Sequence, residues 1–449
     1  MVRVTPSSAV PLSLPPTLLA RVGMWHGRTG RVRAVRIFIW HGYLLTGTGS
    51  NEYTQALART LGRSGHDVTV FCQDPDADSL DLAGATVVRP ELPGPLPVFV
   101  LDRYDRATPA LLPDLPQSVL DDYVASNAEV VAAAGPADLL ITNHVLLGGP
   151  VGAATGLPFV VKAHGSELEY AMRGNERLCR WAQRSLDTAR GVIAGSQHIE
   201  RVVEELVGID PREIHVIPPG VNTDTMRPRP RAQALAGLLA EARADPSNDG
   251  NERLPDSGNA ARLERFFADP DRPMVLYVGK LSAEKGVPLL MDAVRELDVA
   301  AVIVGFGPAR VPLEAVAGPD VLFTGPLQHR HLRYLWPLAT TSVVPSIFPE
   351  AFGMVAAEAA SCGCPPLVAD HSGLAEIAQG LRTYYPAQLA GLTSFPTGDE
   401  SALRGRLRSL VDLDADDREL ISQAARTAAV ELWGWDSVAE RILAIGQSG

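Results

Sequence analysis

Two carboxylates bracket the start of a helix in Pro349-Glu350-Ala351-Phe352-Gly353-Met354-Val355-Ala356-Ala357-Glu358, which follows an apolar run ending near Val344. Gly353 permits close backbone approach. A helix beginning near Met354 points unpaired amide N–H groups and a positive dipole end at an anion, and a phosphate fits that description. Glu350 precedes the helix and Glu358 lies roughly one turn inside it, so the two face different parts of one ligand rather than each other. Sugar hydroxyls are natural partners for both.

The second constellation is Val278-Gly279-Lys280-Leu281-Ser282-Ala283-Glu284-Lys285-Gly286, which closes another apolar run. Ligands of open α/β sheets bind outside the carboxyl ends of strands, where this loop falls. Fixed cations at Lys280 and Lys285 suit a phosphate group on which negative charge builds as a bond breaks. Val304-Gly305-Phe306-Gly307 ends a further strand; Gly305 is expected to line a nucleotide pocket, although the full Gly-x-Gly-x-x-Gly fingerprint is missing.

Nearer the N-terminus, Gly47-Thr48-Gly49-Ser50 joins strand to helix with little side-chain bulk. Ser50 reads either as an N-cap or as part of a loop approaching a ligand. Lys162-Ala163-His164-Gly165-Ser166-Glu167 follows a buried strand, and His164 is the obvious group there to titrate near neutral pH. Ser196 reads as a cap at the start of a helix. The pair Asp74 and Asp76, in a Pro/Asp-rich loop, reads as surface rather than as a metal motif, and no metal is expected.

The elements that must position these residues alternate. Short β-branched runs at 35–40, 68–71, 139–141, 159–161, 191–194 and 214–217 are separated by helical spacing, and a second series begins at Met274 with runs at 300–304, 321–323, 341–344 and 366–369. That alternation predicts parallel sheets covered on both faces. The fold class is α/β, two Rossmann-like doubly wound domains with a cleft between them. The expected division is a disordered tail over 1–34, a first domain over 35–220 completed by a closing helix over 432–449, a partly mobile linker and insertion over 221–273, and a second domain over 274–431.

Composition narrows the function. With 46% hydrophobic and 20% charged residues among 449, the chain has the make-up of a folded globular protein. A net charge of -12 disfavours nucleic acid as a partner, so a polyanionic ligand must be held by a few local cations and amides. Four scattered cysteines do not make a disulfide framework; Cys362 and Cys364 lack a second ligand pair for metal. No run approaches the ~20 apolar residues of a membrane span. A cytoplasmic protein is expected, with a peripheral place at the inner membrane face as the alternative.

The Glu350-to-Glu358 segment, with its Phe-Gly-Met, resembles the signature of the family-four (group 1) retaining glycosyltransferases of GT-B fold, and the likeness extends over about residues 35–445. The resemblance implies that Glu350 contacts the transferred sugar, that Phe352, Gly353, Met354 and Val355 bind its hydroxyls and the adjacent phosphate, and that Glu358 contacts the nucleotide ribose. It further implies donor contacts at Gly49, Gly279, Gly305 and Leu327, catalytic roles for Lys280, Lys285 and His164, and an acceptor side built from Gly47, Ser50 and Glu167. His371-Ser372-Gly373 resembles the loop beside the donor phosphates. The family carries arginine where Lys280 stands, so the bidentate fork is absent here. No cofactor is implied beyond a nucleotide-sugar donor, a UDP-sugar first and GDP-mannose next. The acceptor is a small molecule, a lipid-linked molecule or a glycan. Two rivals remain: a phosphorylase or epimerase on the same fold, and a catalytically silent nucleotide-sugar-binding protein.

Overall fold

In the computed structural model, which describes residues 34–101 and 107–447, the chain enters its first sheet at β1 (Arg36–Trp40), four of whose five residues are buried. Residues 1–33, where the tail is expected, lie outside the described residues. Strands β2 (Asp67–Phe71), β3 (Thr86–Val88), β6 (Leu139–Asn143), β7 (Phe159–Lys162), β8 (Val192–Ala194) and β9 (Ile214–Val216) complete a parallel sheet of order β3-β2-β1-β6-β7-β8-β9. A small parallel pair, β4 (Leu96–Val98) with β5 (Pro109–Leu111), stands apart.

The second sheet repeats the plan. Strands β10 (Met274–Val278), β11 (Ala300–Val304), β12 (Val321–Phe323), β13 (Thr341–Val344), β14 (Pro366–Ala369) and β15 (Ser394–Phe395) run in the order β12-β11-β10-β13-β14-β15, all parallel. In each sheet the strand order reverses beside the first strand, between β1 and β6 and between β10 and β13. Such switch points open a crevice at the carboxyl ends of the strands, and that is where ligands enter doubly wound sheets. Continuous Val, Ile and Leu runs suit strands buried on both faces.

Within residues 221–273, helices Arg231–Arg243 and Asn259–Phe266 place Ala234, Leu238, Leu239 and Leu263 in the second sheet's core. The C-terminal helical stretch divides at Gly434 into helices Ala415–Trp433 and Trp435–Gln447. There the chain crosses beside its earlier passage: Val221 N donates to Trp433 O at 2.6 Å and Trp435 N to Val221 O at 3.3 Å. Helix Trp435–Gln447 then packs on the first sheet, where Arg441 donates to Val216 O and Gly446 lies against Leu139. Among the described residues no helix is long and apolar enough to cross a membrane. Cys362 and Cys364 are buried free thiols; burial pushes the Cys362 thiol up to about 12.

Candidate active site

A cleft of about 1160 Å³ lies between the carboxyl ends of the two sheets. On its second-sheet side the loop after β10 and the loop after β13 meet. Ile347 N and Phe348 N both donate to Glu284 O, at 2.9 and 3.2 Å, stitching one loop to the other. Gly286 allows this approach: its φ is +68°, and a Cβ there would lie 1.9 Å from Pro345 O. The stitched loops bring Lys285 Nζ onto Glu350 Oε1 as a half-buried ion pair.

Glu350 is held from behind. Ser372 Oγ accepts from Glu350 N at 2.9 Å and lies 3.0 Å from His371 Nδ1, while His371 Nε2 reaches Ser346 O at 2.7 Å. Gly373 N donates to Glu350 O. The His371-Ser372-Gly373 loop therefore acts as a backstop to the Glu350 loop. Gly353, with φ +113°, precedes helix Met354–Ser361, and a Cβ there would press on Leu374 at 2.7 Å. Phe352, Gly353, Met354, Val355 and Glu358 all line the cleft, as do Gly279, Lys280 and Lys285.

Opposite, Gly47, Gly49, Ser50 and His164 reach the wall from the first sheet. Helix Gly49–Arg63 begins one residue before Ser50, so Thr48 and not Ser50 takes the N-cap position. Ser196 does cap its helix, accepting from Ile199 N. Asp74 is 4% exposed, its carboxylate accepting from Leu45 N and Asp76 N, so it is a buried loop anchor and not the surface residue expected.

Three expected wall residues stand off the cleft. Gly305 lies behind the β10 loop, where a Cβ would meet Gly279 O at 1.8 Å; its role there is to let two strand-end loops pack. Leu327 is half-buried against the second core. Glu167 is fully buried, accepting from His164 N at 2.9 Å and from Val145 N, with His144 Nδ1 3.2 Å from its other oxygen. Burial works to raise its pKa, but the His144 imidazole and the amides hold it below the usual range. An ionised carboxylate only accepts, so His144 Nδ1 carries a proton towards it, while His144 Nε2 is buried and without a hydrogen-bond partner among the described residues.

His164 is not the titrating group that its type suggests. Burial, followed by the neighbouring His144 and Lys162, pushes its pKa well below the imidazole range, and its Nε2 donates to Asn143 Oδ1 at 2.7 Å. Lys162 titrates near neutral pH instead: 2% exposed, it is lowered to about 7 chiefly by burial. Its ammonium lies over the Tyr53 ring, with Ile217 O at 3.4 Å. His144 follows the end of β6 as His164 follows the end of β7, so the strand-end rule that picked out His164 points equally to Asn143-His144. His329, bonded to Glu358, was also missed; it opens a helix, and no strand-end signal marks it.

Two family models match the chain: glycosyltransferase family 4 over residues 47–225 and glycosyl transferases group 1 over residues 262–427. A D-inositol 3-phosphate glycosyltransferase of Mycobacterium tuberculosis is 29% identical over 354 residues, which are 73% of this chain and 65% of that relative's own length. Among solved structures, Anabaena HepE in complex with UDP and glucose matches with a TM-score of 0.64 at 18% identity, covering 92% of this chain and 100% of that one. Sucrose-phosphate synthase from Thermosynechococcus elongatus matches with a TM-score of 0.58 at 20% identity, covering 91% and 98%.

Proposed function

The chain belongs to the group 1 glycosyltransferases, and on that premise we propose that it is a retaining glycosyltransferase, moving a hexosyl or N-acetylhexosaminyl group from a nucleoside-diphosphate sugar to an acceptor. The observation that carries the reading is the Lys285–Glu350 ion pair beside the Gly353 helix start. The pair sets a cation where a diphosphate leaves and a carboxylate where the sugar's hydroxyls lie. As the bond from sugar to phosphate breaks, its electron pair passes to the diphosphate, and Lys285 and Lys280 oppose the growing charge. The helix amides at Met354 and Val355 add partial positive charge. Glu358 takes the ribose. Residues 231–433 form the donor side and residues 35–220 with 435–447 the acceptor side, the two joined where the chain passes Val221 and Gly434.

A UDP-sugar is the favoured donor and GDP-mannose the next, which the UDP-bound HepE neighbour supports. The acceptor is a small molecule, a lipid-linked molecule or a glycan. The test is a thermal-shift screen against UDP, GDP, ADP and dTDP, since a ligand at 100 times its Kd stabilises the native state by ~2.7 kcal/mol. Release of the matching nucleoside diphosphate from its sugar donor then measures transfer. A shift with one nucleotide followed by its release supports the reading; no shift with any of the four overturns it, and binding without release on a broad acceptor panel turns it to the silent alternative.

A further inference from the structure

His329 opens the helix His329–Leu335, and its side chain is 59% exposed on the cleft wall. Its Nε2 lies 3.0 Å from Glu358 Oε1. The Glu358 carboxylate is only 11% exposed, and its second oxygen takes no hydrogen bond among the described residues. A nearly buried carboxylate with no counter-charge is costly. An imidazolium bonded to one oxygen offsets that cost and leaves the other free to accept.

The helix that presents His329 is itself clamped by the segment joining the two sheets. Glu241, on helix Arg231–Arg243, accepts from Arg333 Nη2 at 2.8 Å and from Arg330 Nη1 at 2.9 Å. Asp245, just beyond that helix, pairs with Arg330 and lies 3.1 Å from the fully buried His331 Nε2. Gly237 completes the contact, for a Cβ there would lie 2.5 Å from the Tyr334 ring. Arg330, His331 and Arg333 are therefore engaged by the joining segment, Arg330 and Arg333 from the edge of the cleft wall, while His329 pairs across to Glu358.

We propose that His329 sets nucleotide affinity by pairing with Glu358 and orienting it for the ribose of a bound nucleotide, and that Glu241 and Asp245 are its positioning residues. The inference rests on the reading of Glu358 as the ribose contact. The groups facing His329 are Glu358 from helix Met354–Ser361 and Glu52 from helix Gly49–Arg63 across the cleft; on its own helix Arg330, His331 and Arg333 are engaged by Glu241 and Asp245. Its hydrogen bond to Glu358, then the charge of Glu358, raises the His329 imidazole to about 9. The imidazolium is present at neutral pH and is lost as pH rises through about 9, so nucleotide affinity falls over that range.

The experiment is calorimetric titration of the full chain with UDP, and with GDP in parallel, from pH 7 to 10, together with donor KM and kcat. His329→Gln weakens nucleotide binding roughly tenfold at pH 7.5, the scale of one charge-assisted hydrogen bond. It also flattens the fall in affinity near pH 9 and raises donor KM far more than it lowers kcat. Asp245→Asn, which keeps the imidazole but loosens its helix, weakens binding by a smaller factor and keeps the fall near pH 9. Wild-type affinity with an unchanged pH profile in His329→Gln overturns the inference, as does tighter binding, which would make His329 a competitor for Glu358. If the wild-type chain binds neither nucleotide, the reading of the cleft itself falls and takes this inference with it.

Discussion

Glu376, on helix Ser372–Arg382 of the second sheet, accepts hydrogen bonds from the main-chain amide of Gln197 at the start of helix Gln197–Val207 on the first, at 3.0 Å. His198 N adds a second at 3.3 Å. A carboxylate at a helix N-terminus is favourable both for the unpaired amides and for the dipole. This clasp spans the cleft from one half to the other. Glu376→Ala removes it and leaves both helices intact, so the unliganded protein opens: its radius of gyration in small-angle scattering rises, and donor KM rises with it. An unchanged radius and KM would show that the halves are held elsewhere.

Lys285→Ala and Glu350→Gln each break the ion pair at the cleft wall. Turnover falls by about 10²–10³-fold, the scale of losing one preorganised electrostatic contact. Both side chains are partly exposed, so melting temperature moves little. A loss of turnover matched by a large loss of stability would mark the pair as scaffolding only.

Gly286→Ala tests whether the stitched loops set the cation's position. A methyl group cannot fit 1.9 Å from Pro345 O, and φ +68° is strained for any side chain. The Lys285 loop must shift, so activity falls strongly while nucleotide binding, proposed to run through Glu358 on a separate helix, is retained. Equal losses of both, measured by turnover and calorimetry, would contradict this.

Lys162 makes stability depend on pH in a direction unusual for lysine. Its folded pKa of about 7 lies below its unfolded value, so between pH 7 and about 10 the unfolded chain binds more protons and stability rises with pH. The burial penalty is fully present below pH 7. Lys162→Met removes this slope, and the variant exceeds the wild type in stability by the most, on the order of a few kcal/mol, near pH 6. Denaturant titrations of both proteins at pH 6, 8 and 10 measure the difference; parallel curves would refute it.

The strands that carry the switch points were legible because parallel sheets demand β-branched and apolar runs, which β1, β6 and β10 supply and β13 completes with Thr341 and Ser342 ahead of its two valines. Two edge strands were not: β3 is a half-exposed strand of three residues and β15 has only two, too short for a pattern. Lys285 and Glu350 follow strand ends, and so do their places on the wall. The same rule placed Gly305 there too, but it cannot tell a loop on the wall from the one packed behind it. The environment of a titrating group lies further out of reach. Histidine type alone suggested that His164 would change charge near pH 7, whereas three elements bury it beside His144 and pass that behaviour to Lys162. The helix of His329 is held by Asp245 and Glu241 through pairs 86 and 92 positions apart, and no local spacing encodes such a pairing.

The paired crossing at Val221 and Gly434 also limits how the cleft can move. A single connecting strand would leave one half free to swing, twist and slide against the other. Two strands joined by backbone hydrogen bonds act as the leaf of a door hinge, stiff to twist and to shear but compliant about one line. Trp435 wedges that line, its indole filling the space where Gly220 has no side chain, and Tyr53 packs on its ring at 5.2 Å. A doubled, wedged crossing of this kind favours opening about one line over twisting or sliding, which keeps the two walls aligned on whatever enters the cleft.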